Sequence, residues 1–460
     1  MILKILGTVL VLAAGHLFTH RALPFLFVRA GKKLGFDMKP APHWQKRFKR
    51  FRTMKRGYYS FLLITTLLVT SFFLELIVNN KPLVIRYENH IAFPAFRDWA
   101  DKALFFADLS RIEVQSDFGQ VGDGQVDYRL FAAALKDPAV FDRQRAALES
   151  ELADFKGQLS GFKLRKGAGA SERQDHEDLE AILPSIESDI ALVDGAKRAF
   201  SEGKAFILMP LYPYSPMEHL LDLPGSPPHH PSRGHILGTD DSGTDVLAQL
   251  LYGFRISLSF ALMVSFIGYV IGIVIGGVMG YFGGWTDILI QRFIEIWGSI
   301  PFLFTIMIIA SIVQPTFWLL AGLLIVLQAW LGMTYYMRGE FYREKARDYV
   351  HAAEAMGATD WSVMMKHILP NSLVPIVTFA PFSIVAFIGS LVSLDYLGFG
   401  LPVGTPSWGT LLSQGMQYLK YYPNLILTPS IALAATLFLV VQIGEAVREA
   451  FDPKVFSRLR

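Results

Sequence analysis

The stretch Ile256–Tyr281 reads ISLSFALMVSFIGYVIGIVIGGVMGY and contains no Asp, Glu, Lys or Arg. A helix needs about 20 mostly apolar residues to cross the hydrocarbon core, because every backbone polar group there must be bonded within the helix. This stretch is long enough, and it places the chain in a bilayer. Working outward, five more segments meet the same criterion: Tyr58–Val78, Leu289–Val313, Phe317–Met337, Ser372–Leu394 and Leu425–Ile443. Composition agrees, with 52% hydrophobic and only 18% charged residues and a mean hydropathy of +0.35. The expected fold class is an all-α polytopic membrane protein.

Orientation follows from basic residues in short flanks, which are retained on the cytoplasmic side. The segment 43–57, ahead of the first span at 58–78, carries Lys46, Arg47, Lys49, Arg50, Arg52, Lys55 and Arg56. The connection 338–371 carries Arg338, Arg343, Lys345, Arg347 and Lys366, and the tail 448–460 carries Arg448, Lys454, Arg458 and Arg460. All three are expected in the cytoplasm, the C-terminus included. By contrast, Asp395–Asn424 has only Lys420 as a basic residue, and six spans starting from the cytoplasm satisfy each placement. Residues 1–42 form an apolar extension in which Ile2–Phe18 and Ala22–Val28 are interrupted by His16, His20 and Arg21. Arg29, Lys32 and Lys33 behind it suit an extra helix with its N-terminus outside; an uncleaved signal-like extension is the alternative.

Residues 79–255 have the composition of a soluble domain, and the topology puts nearly all of them outside the cytoplasm. Within them Phe141, Leu148, Leu152, Phe155 and Leu159 share one helical face, as do Leu179, Ile182, Ile186 and Ile190 beyond a turn at Gly167–Ser171. A helical hairpin is expected, either packing only on itself or docking an external partner. The Pro-rich run Leu223–Pro231 reads as an extended linker back to the membrane core at 256–447.

Several chemistries are excluded or unsupported. There is no cysteine, hence no disulfide, thiolate metal site or cysteine nucleophile. The chain has no Gly-x-x-x-x-Gly-Lys-Ser/Thr loop, no His-Glu-x-x-His site and no Gly-x-Ser-x-Gly elbow, so it is not expected to be an enzyme or to hold a cofactor. His229, His230 and His235 cluster, but in a Pro-rich linker without a carboxylate at ligand spacing, and no metal site is expected. A net charge of +3 is too small to argue for nucleic acid.

Inside the spans, Gly268, Gly272, Gly276 and Gly280 recur every four residues and leave a groove where another helix can approach. The groove can serve packing within the chain or an interface with a partner subunit. Gln291, Arg292 and Glu295 enter the third span, where charge must face a partner or water, so Glu295, with Ser299 and Pro301, is a candidate for the translocation path. Pairing near the interface is the alternative. Pro301, Pro375, Pro381 and Pro429 each remove a backbone donor and are expected to mark kinks.

The basic connection contains Asp348–Ala358, DYVHAAEAMGA, continuing through Asp360-Trp361 to Ile368-Leu369-Pro370-Asn371. Small residues followed by Gly357 predict two short helices meeting at a tight bend, a knob able to seat in another protein's groove. Ala352-Ala353-x-x-x-Gly357 followed by Ile368-Leu369-Pro370 resembles the cytoplasmic loop of ABC importer permeases, with His351 standing where the family has glutamate. His235-x-Leu237-Gly238-Thr239-Asp240-x-x-Gly243-x-Asp245 and Leu251-Tyr252-Gly253-x-Arg255-x-Ser257 resemble the C-type dipeptide and oligopeptide permeases, with Thr244 where those have arginine. Ser299-Ile300-Pro301, Leu397-Gly398-Phe399-Gly400 and Pro406-Ser407-Trp408-Gly409 resemble the same group. Asn80–Tyr87 and Glu445–Pro453 are similar to the microcin C type, and the likeness covers Trp44–Pro453.

The resemblance implies a type I importer permease with a six-helix core, plus the extra N-terminal helix and the insertion between the first two core helices. It implies a bacterial inner-membrane subunit that moves peptides by alternating access. A second permease subunit, two ATPase domains holding ATP and Mg, and an extracytoplasmic solute-binding protein would be its partners. In the family the loop is the coupling helix that docks on the ATPase, which assigns that role to His351, Ala352, Ala353, Gly357, Ala358, Leu369 and Pro370. A secondary transporter would need an internal repeat and midplane ionisable residues, and the sequence offers neither.

Overall fold

The computed structural model describes residues 42–87, 90–103, 128–134, 137–161, 170–220, 223–402 and 404–451. The expected N-terminal helix and most of the tail fall outside these residues. The described residues divide into two compact units, one spanning residues 72–215 and the other residues 42–71 with 216–451, and each is described by itself.

The membrane unit opens with the basic helix α1 (Pro42–Thr53) and with α2 (Lys55–Ser71). The first span, expected over Tyr58–Val78, thus breaks after Ser71. At about 1.5 Å per residue α2 is about 26 Å long. It buries Gly57, Ser60 and Ile64, one turn apart, and Gly57 faces Ala446 and the carbonyl of Gln442.

The other unit contains the short α3 (Leu74–Ile77), strands β1 (Val84–Tyr87) and β2 (His90–Ala92), then α4 (Pro94–Ala103), α5 (Tyr128–Ala134), α6 (Ala139–Gly161), α7 (Ala170–Ser201) and β3 (Ala205–Leu208). The strands form an antiparallel sheet in the order β2-β1-β3, an element the all-helical reading of this insertion did not contain. The hairpin α6–α7 does not pack only on itself. Its base buries Phe141, Val193 and Ala196 against Ile85 and Ile207 of the sheet and Phe131 of α5. Further out the two helices are joined by ion pairs, Arg145 with Asp194 at 3.3 Å and Lys156 with Glu187 at 2.8 Å.

Back in the membrane unit, α8 (Val246–Phe282) is the longest helix described, about 55 Å at the usual rise, so it extends beyond a core of about 30 Å. Its start is fixed by Asp245, whose carboxylate accepts from the Ala248 amide at 2.9 Å. It stops at Gly283 and Gly284, both with positive φ. Next come α9 (Gly284–Gly298) and α10 (Phe302–Ile312), bent by 63° at Ser299-Ile300-Pro301. The fourth span is α11 (Phe317–Leu324), a π-helical turn at Ile325–Ala329 and α12 (Leu331–Lys345), bent by 42°. A π turn leaves a carbonyl short of a partner. Here the Val326 carbonyl takes the indole N–H of Trp330 at 2.9 Å and of Trp297 at 3.0 Å.

Beyond the basic connection, α13 (Asp348–Ala355) and α14 (Asp360–Ser362) lead into a π turn at Val363–Ile368 and a 3₁₀ turn at Leu369–Asn371. The last elements are α15 (Leu373–Tyr396), α16 (Trp408–Gln417) and α17 (Asn424–Phe451). Pro301 lies at a break, as expected, but α15 runs on through Pro381 and α17 through Pro429. The second to sixth expected spans are therefore three uninterrupted helices and two bent pairs.

The glycine groove is filled from within the chain. A side chain at Gly268 would meet the Ala329 methyl, one at Gly272 the Trp330 carbonyl, one at Gly276 the Thr334 carbonyl and one at Gly280 the Arg338 carbonyl. The opposite stripe of α8, Phe266, Val270 and Val274, points outward. The two faces follow from a four-residue repeat of glycine on one side and of bulk on the other.

Candidate coupling site

The basic connection folds as an elbow. Gly357 has φ of +81°, the left-handed region that glycine enters without a Cβ penalty. The amide of Ala358 reaches the Ala353 carbonyl at 3.1 Å and that of Gly357 the Glu354 carbonyl at 2.9 Å, the paired bonds of a Schellman ending. Thr359 then caps the next turn by accepting from the Ser362 amide at 3.4 Å.

The predicted docking residues divide between two sides. His351, Ala352, Gly357 and Pro370 are exposed, Ala358 and Leu369 are half-buried, and Ala353 is buried under the elbow beside Val350. A Cβ at Gly357 would meet nothing within 4 Å, so the glycine is required by the backbone angle and not by crowding. His351 Nδ1 lies 3.4 Å from Glu354 on the same helix, so the position still has a carboxylate neighbour.

Two side chains, Tyr281 and Tyr349, tie the elbow to the spans and a third, Lys345, clamps the ends of two spans together; none was given this role in the sequence. Tyr281, in the last turn of α8, donates to Asp360 at 2.7 Å. Lys345, at the end of α12, donates to the Tyr281 carbonyl at 2.6 Å and sits 4.9 Å over its ring. Tyr349 donates to the buried Glu344 at 2.8 Å and accepts from Asn371 at 3.3 Å. Burial, with the Glu344 carboxylate beside it, pushes the Tyr349 phenol up to about 12, so it holds its proton and remains a donor. Beneath them Phe341, Val350, Val363, Met364 and Ile368 form one apolar cluster with Tyr281 and Met337.

The crest also presents large apolar groups that the small-residue pattern did not flag. Met356 is 80% exposed and Trp361 is 64% exposed. Their signal was present as a tryptophan and methionines in a segment otherwise rich in charge. Exposed groups of this kind, next to a rigid bend, suit insertion into a partner's groove.

The other sequence-marked residues are placed elsewhere. Glu295 is exposed on α9 and accepts from Arg292 at 2.6 Å and Gln291 at 3.1 Å, so its charge is paired along its own helix. Ser299 donates to the Ile296 carbonyl at 2.7 Å, and Pro301 opens α10. The segment before α8 is a knot of caps: His235 Nδ1 lies 2.9 Å from Asp245, and Asp240 accepts from Thr244 at 2.8 Å and from Gln249 at 2.7 Å. His229 meets Thr239 at 2.9 Å and His230 stacks on Tyr422 at 4.4 Å, so the three histidines go to separate partners. The later motifs close over the same region, where the buried Trp408 donates to the Leu250 carbonyl at 2.9 Å.

Residues 272–457 match the family of binding-protein-dependent transport system inner membrane components. Over 413 residues the chain is 36% identical to the inner membrane ABC transporter permease protein YejE of Escherichia coli, covering 90% of this chain and 98% of that one. It is 32% identical over 418 residues to the peptidoglycan transport system permease protein YejE of Agrobacterium fabrum, covering 90% of this chain and 94% of the relative. The oligopeptide transport system permease protein OppC of Haemophilus influenzae is 36% identical over 220 residues, or 48% of this chain and 70% of that protein. Together with its apolar helices, these likenesses show that the chain belongs to the ABC transporter permeases, as a multi-pass inner-membrane component of a binding-protein-dependent transport system.

Proposed function

We propose that this permease moves peptides or peptide-like compounds into the cytoplasm by alternating access, driven by separate ATPase subunits that bear on the elbow at Gly357. Relatives named for oligopeptide and peptidoglycan transport support the substrate class. The observation that carries the mechanism is the bracing of the elbow: Tyr281 links it to α8, Tyr349 links it to Glu344 of α12 and to Asn371 just before α15, and Lys345 clamps α12 to α8. A push on the crest then moves helix ends together instead of bending a loop. This is the rigid coupling that two alternative bundle packings require.

In this reading ATP and Mg are held by the partner subunits, a second permease completes the pore, and a solute-binding protein delivers substrate from outside. The elbow and the C-terminus lie in the cytoplasm. Glu295, Ser299 and Pro301 border the path, on the broken third span. Gly357→Trp tests the assignment. The variant is expected in the membrane at normal level but without co-purifying ATPase; undiminished recovery of the ATPase would overturn the docking role. Because the chain has no cysteine, Met356→Cys also reports sidedness. Labelling by an impermeant maleimide from the outside of intact cells would remove the mechanism.

A further inference from the structure

The sheet of the unit spanning residues 72–215 has two unlike faces. Ile85 and Ile207 face the hairpin base and are buried. Antiparallel register puts opposed residues on one face, so Arg86 stands between Ile91 and Phe206, and Val84 beside Leu208, on the other. Phe93 follows Ile91 by two and extends the same face. This second face is apolar and open: Ile91 is 62% exposed, Phe93 52%, Phe206 48% and Leu208 42%. Among the described residues Arg86 forms no ion pair, and it is the one cation that the strands themselves place on that face.

The open face continues along a chain of aromatic contacts. Phe93 meets Phe96 edge-on at 6.2 Å. Phe96 lies one turn before Trp99 on α4, and Trp99 stacks on Phe73 at 5.6 Å while its indole N–H donates to the Phe72 carbonyl at 2.8 Å. Phe72 and Phe73 are exposed and directly follow Ser71, the last residue of α2, the helix that covers most of the first expected span. On its other side α4 is held by Asp98, which accepts from Lys81 at 2.9 Å and Asn79 at 3.1 Å. The apolar surface is thus continuous with a residue pair that follows the helix of the first expected span. It carries a tryptophan, the residue that favours the headgroup level.

We infer that this face is a membrane-surface seat: Ile91, Phe93, Phe96, Phe206 and Leu208 enter the boundary between headgroups and acyl chains, and Arg86 takes a phospholipid phosphate. An apolar face of this size left in water would be an association hazard. A bilayer covers it without a partner protein, and a lone guanidinium amid aromatic groups suits a phosphate at that depth. The inference needs only that the chain spans the membrane, not that it carries peptides, nor which side this unit occupies.

The test uses the full chain, which is free of cysteine, in its complete transporter with any cysteine of the partner subunits replaced. Ile91→Cys, Phe206→Cys and a control, Gln158→Cys, about 25 Å along α6 from Phe141, are each given an environment-sensitive fluorophore. The protein is reconstituted in phosphatidylethanolamine–phosphatidylglycerol vesicles with or without brominated acyl chains. Labels at 91 and 206 should lose about half of their emission to bromine, as suits groups about 5–10 Å into the boundary. The label at 158 should be unaffected, and Arg86→Glu should relieve most of the quenching at 206. Labels at 91 and 206 that behave like the one at 158 would overturn the seat. So would protection that arises only when a solute-binding protein is added, which would assign the face to a protein partner. Transport activity does not enter the reading, so failure here leaves the proposed function standing.

Discussion

Gly276 and Gly357 are both exceptional positions for a side chain, but for opposite reasons. Gly276 has ordinary helical geometry and no room, since a Cβ would strike the Thr334 carbonyl and lie 2.9 Å from the Met337 Cβ. Gly357 has open space on every side and a backbone angle of +81°. One glycine brings two helices together; the other turns the chain. The lesson is that the bundle is rigid where packing leaves no slack, while the elbow is rigid because its hydrogen bonds and braces fix a conformation that sterics alone would not.

The sharpest way to break the comparison is to put bulk at both sites. Gly276→Leu should remove most folded protein from the membrane, because the contact is backbone to backbone and overpacking already costs about 1–3 kcal/mol where side chains can yield. Thermal unfolding of the detergent-solubilised chain checks this, and a wild-type melting curve would show that α8 and α12 can separate freely.

Among side chains of similar size, substitution at Gly357 should be graded by backbone preference. Gly357→Val forces a β-branched residue into the left-handed region, at about 1–2 kcal/mol, and should weaken ATPase recovery severalfold. Gly357→Asn, which tolerates that region, should come near the wild type. If Asn is as damaging as Val, the crest is sensitive to any atom added there, and the elbow is a tight fit in the partner and not simply a bend.

These contrasts also explain what was legible in the sequence. The spans could be read because a charge-free run such as Ile256–Tyr281 has one stable home, and the break at Pro301 because proline removes a donor. The π turn at Ile325–Ala329 left no such mark; IVLQA is ordinary helix sequence, and the carbonyl it strands is satisfied by Trp297, far away in the chain. The sheet was hidden because its strands are three or four residues long, too short for alternation to stand out beside a long helical hairpin. At the elbow, Gly357 and the alanines were visible. Tyr281 was not, because it sits at the end of a hydrophobic span where an aromatic residue needs no special reason, and its partner Asp360 is 79 residues away.

Tyr281→Phe therefore sharpens the comparison from the side of the braces. It keeps the ring in the apolar cluster and removes the bond to Asp360. A partly buried hydrogen bond to a carboxylate contributes about 1.5–3 kcal/mol, and part of that is recovered as Asp360 takes water. Assembly should be unchanged while ATP turnover loses much of its dependence on substrate, because the crest then moves without pulling α8. Unaltered stimulation by substrate would show that the apolar cluster under Phe341 transmits the push alone.

The smallest effect is expected at His351. Its only described partner is Glu354, one turn along an exposed helix at 3.4 Å, and such pairs contribute about 0.2–0.5 kcal/mol. His351→Ala should leave ATPase recovery and substrate-stimulated turnover within about twofold of the wild type, since an exposed surface change of this size is worth about 0.5 kcal/mol. His351→Glu places a second carboxylate beside Glu354 and should also be tolerated if shape governs docking. A gain in ATPase recovery for the glutamate variant would instead mean that the partner presents a cation to this position.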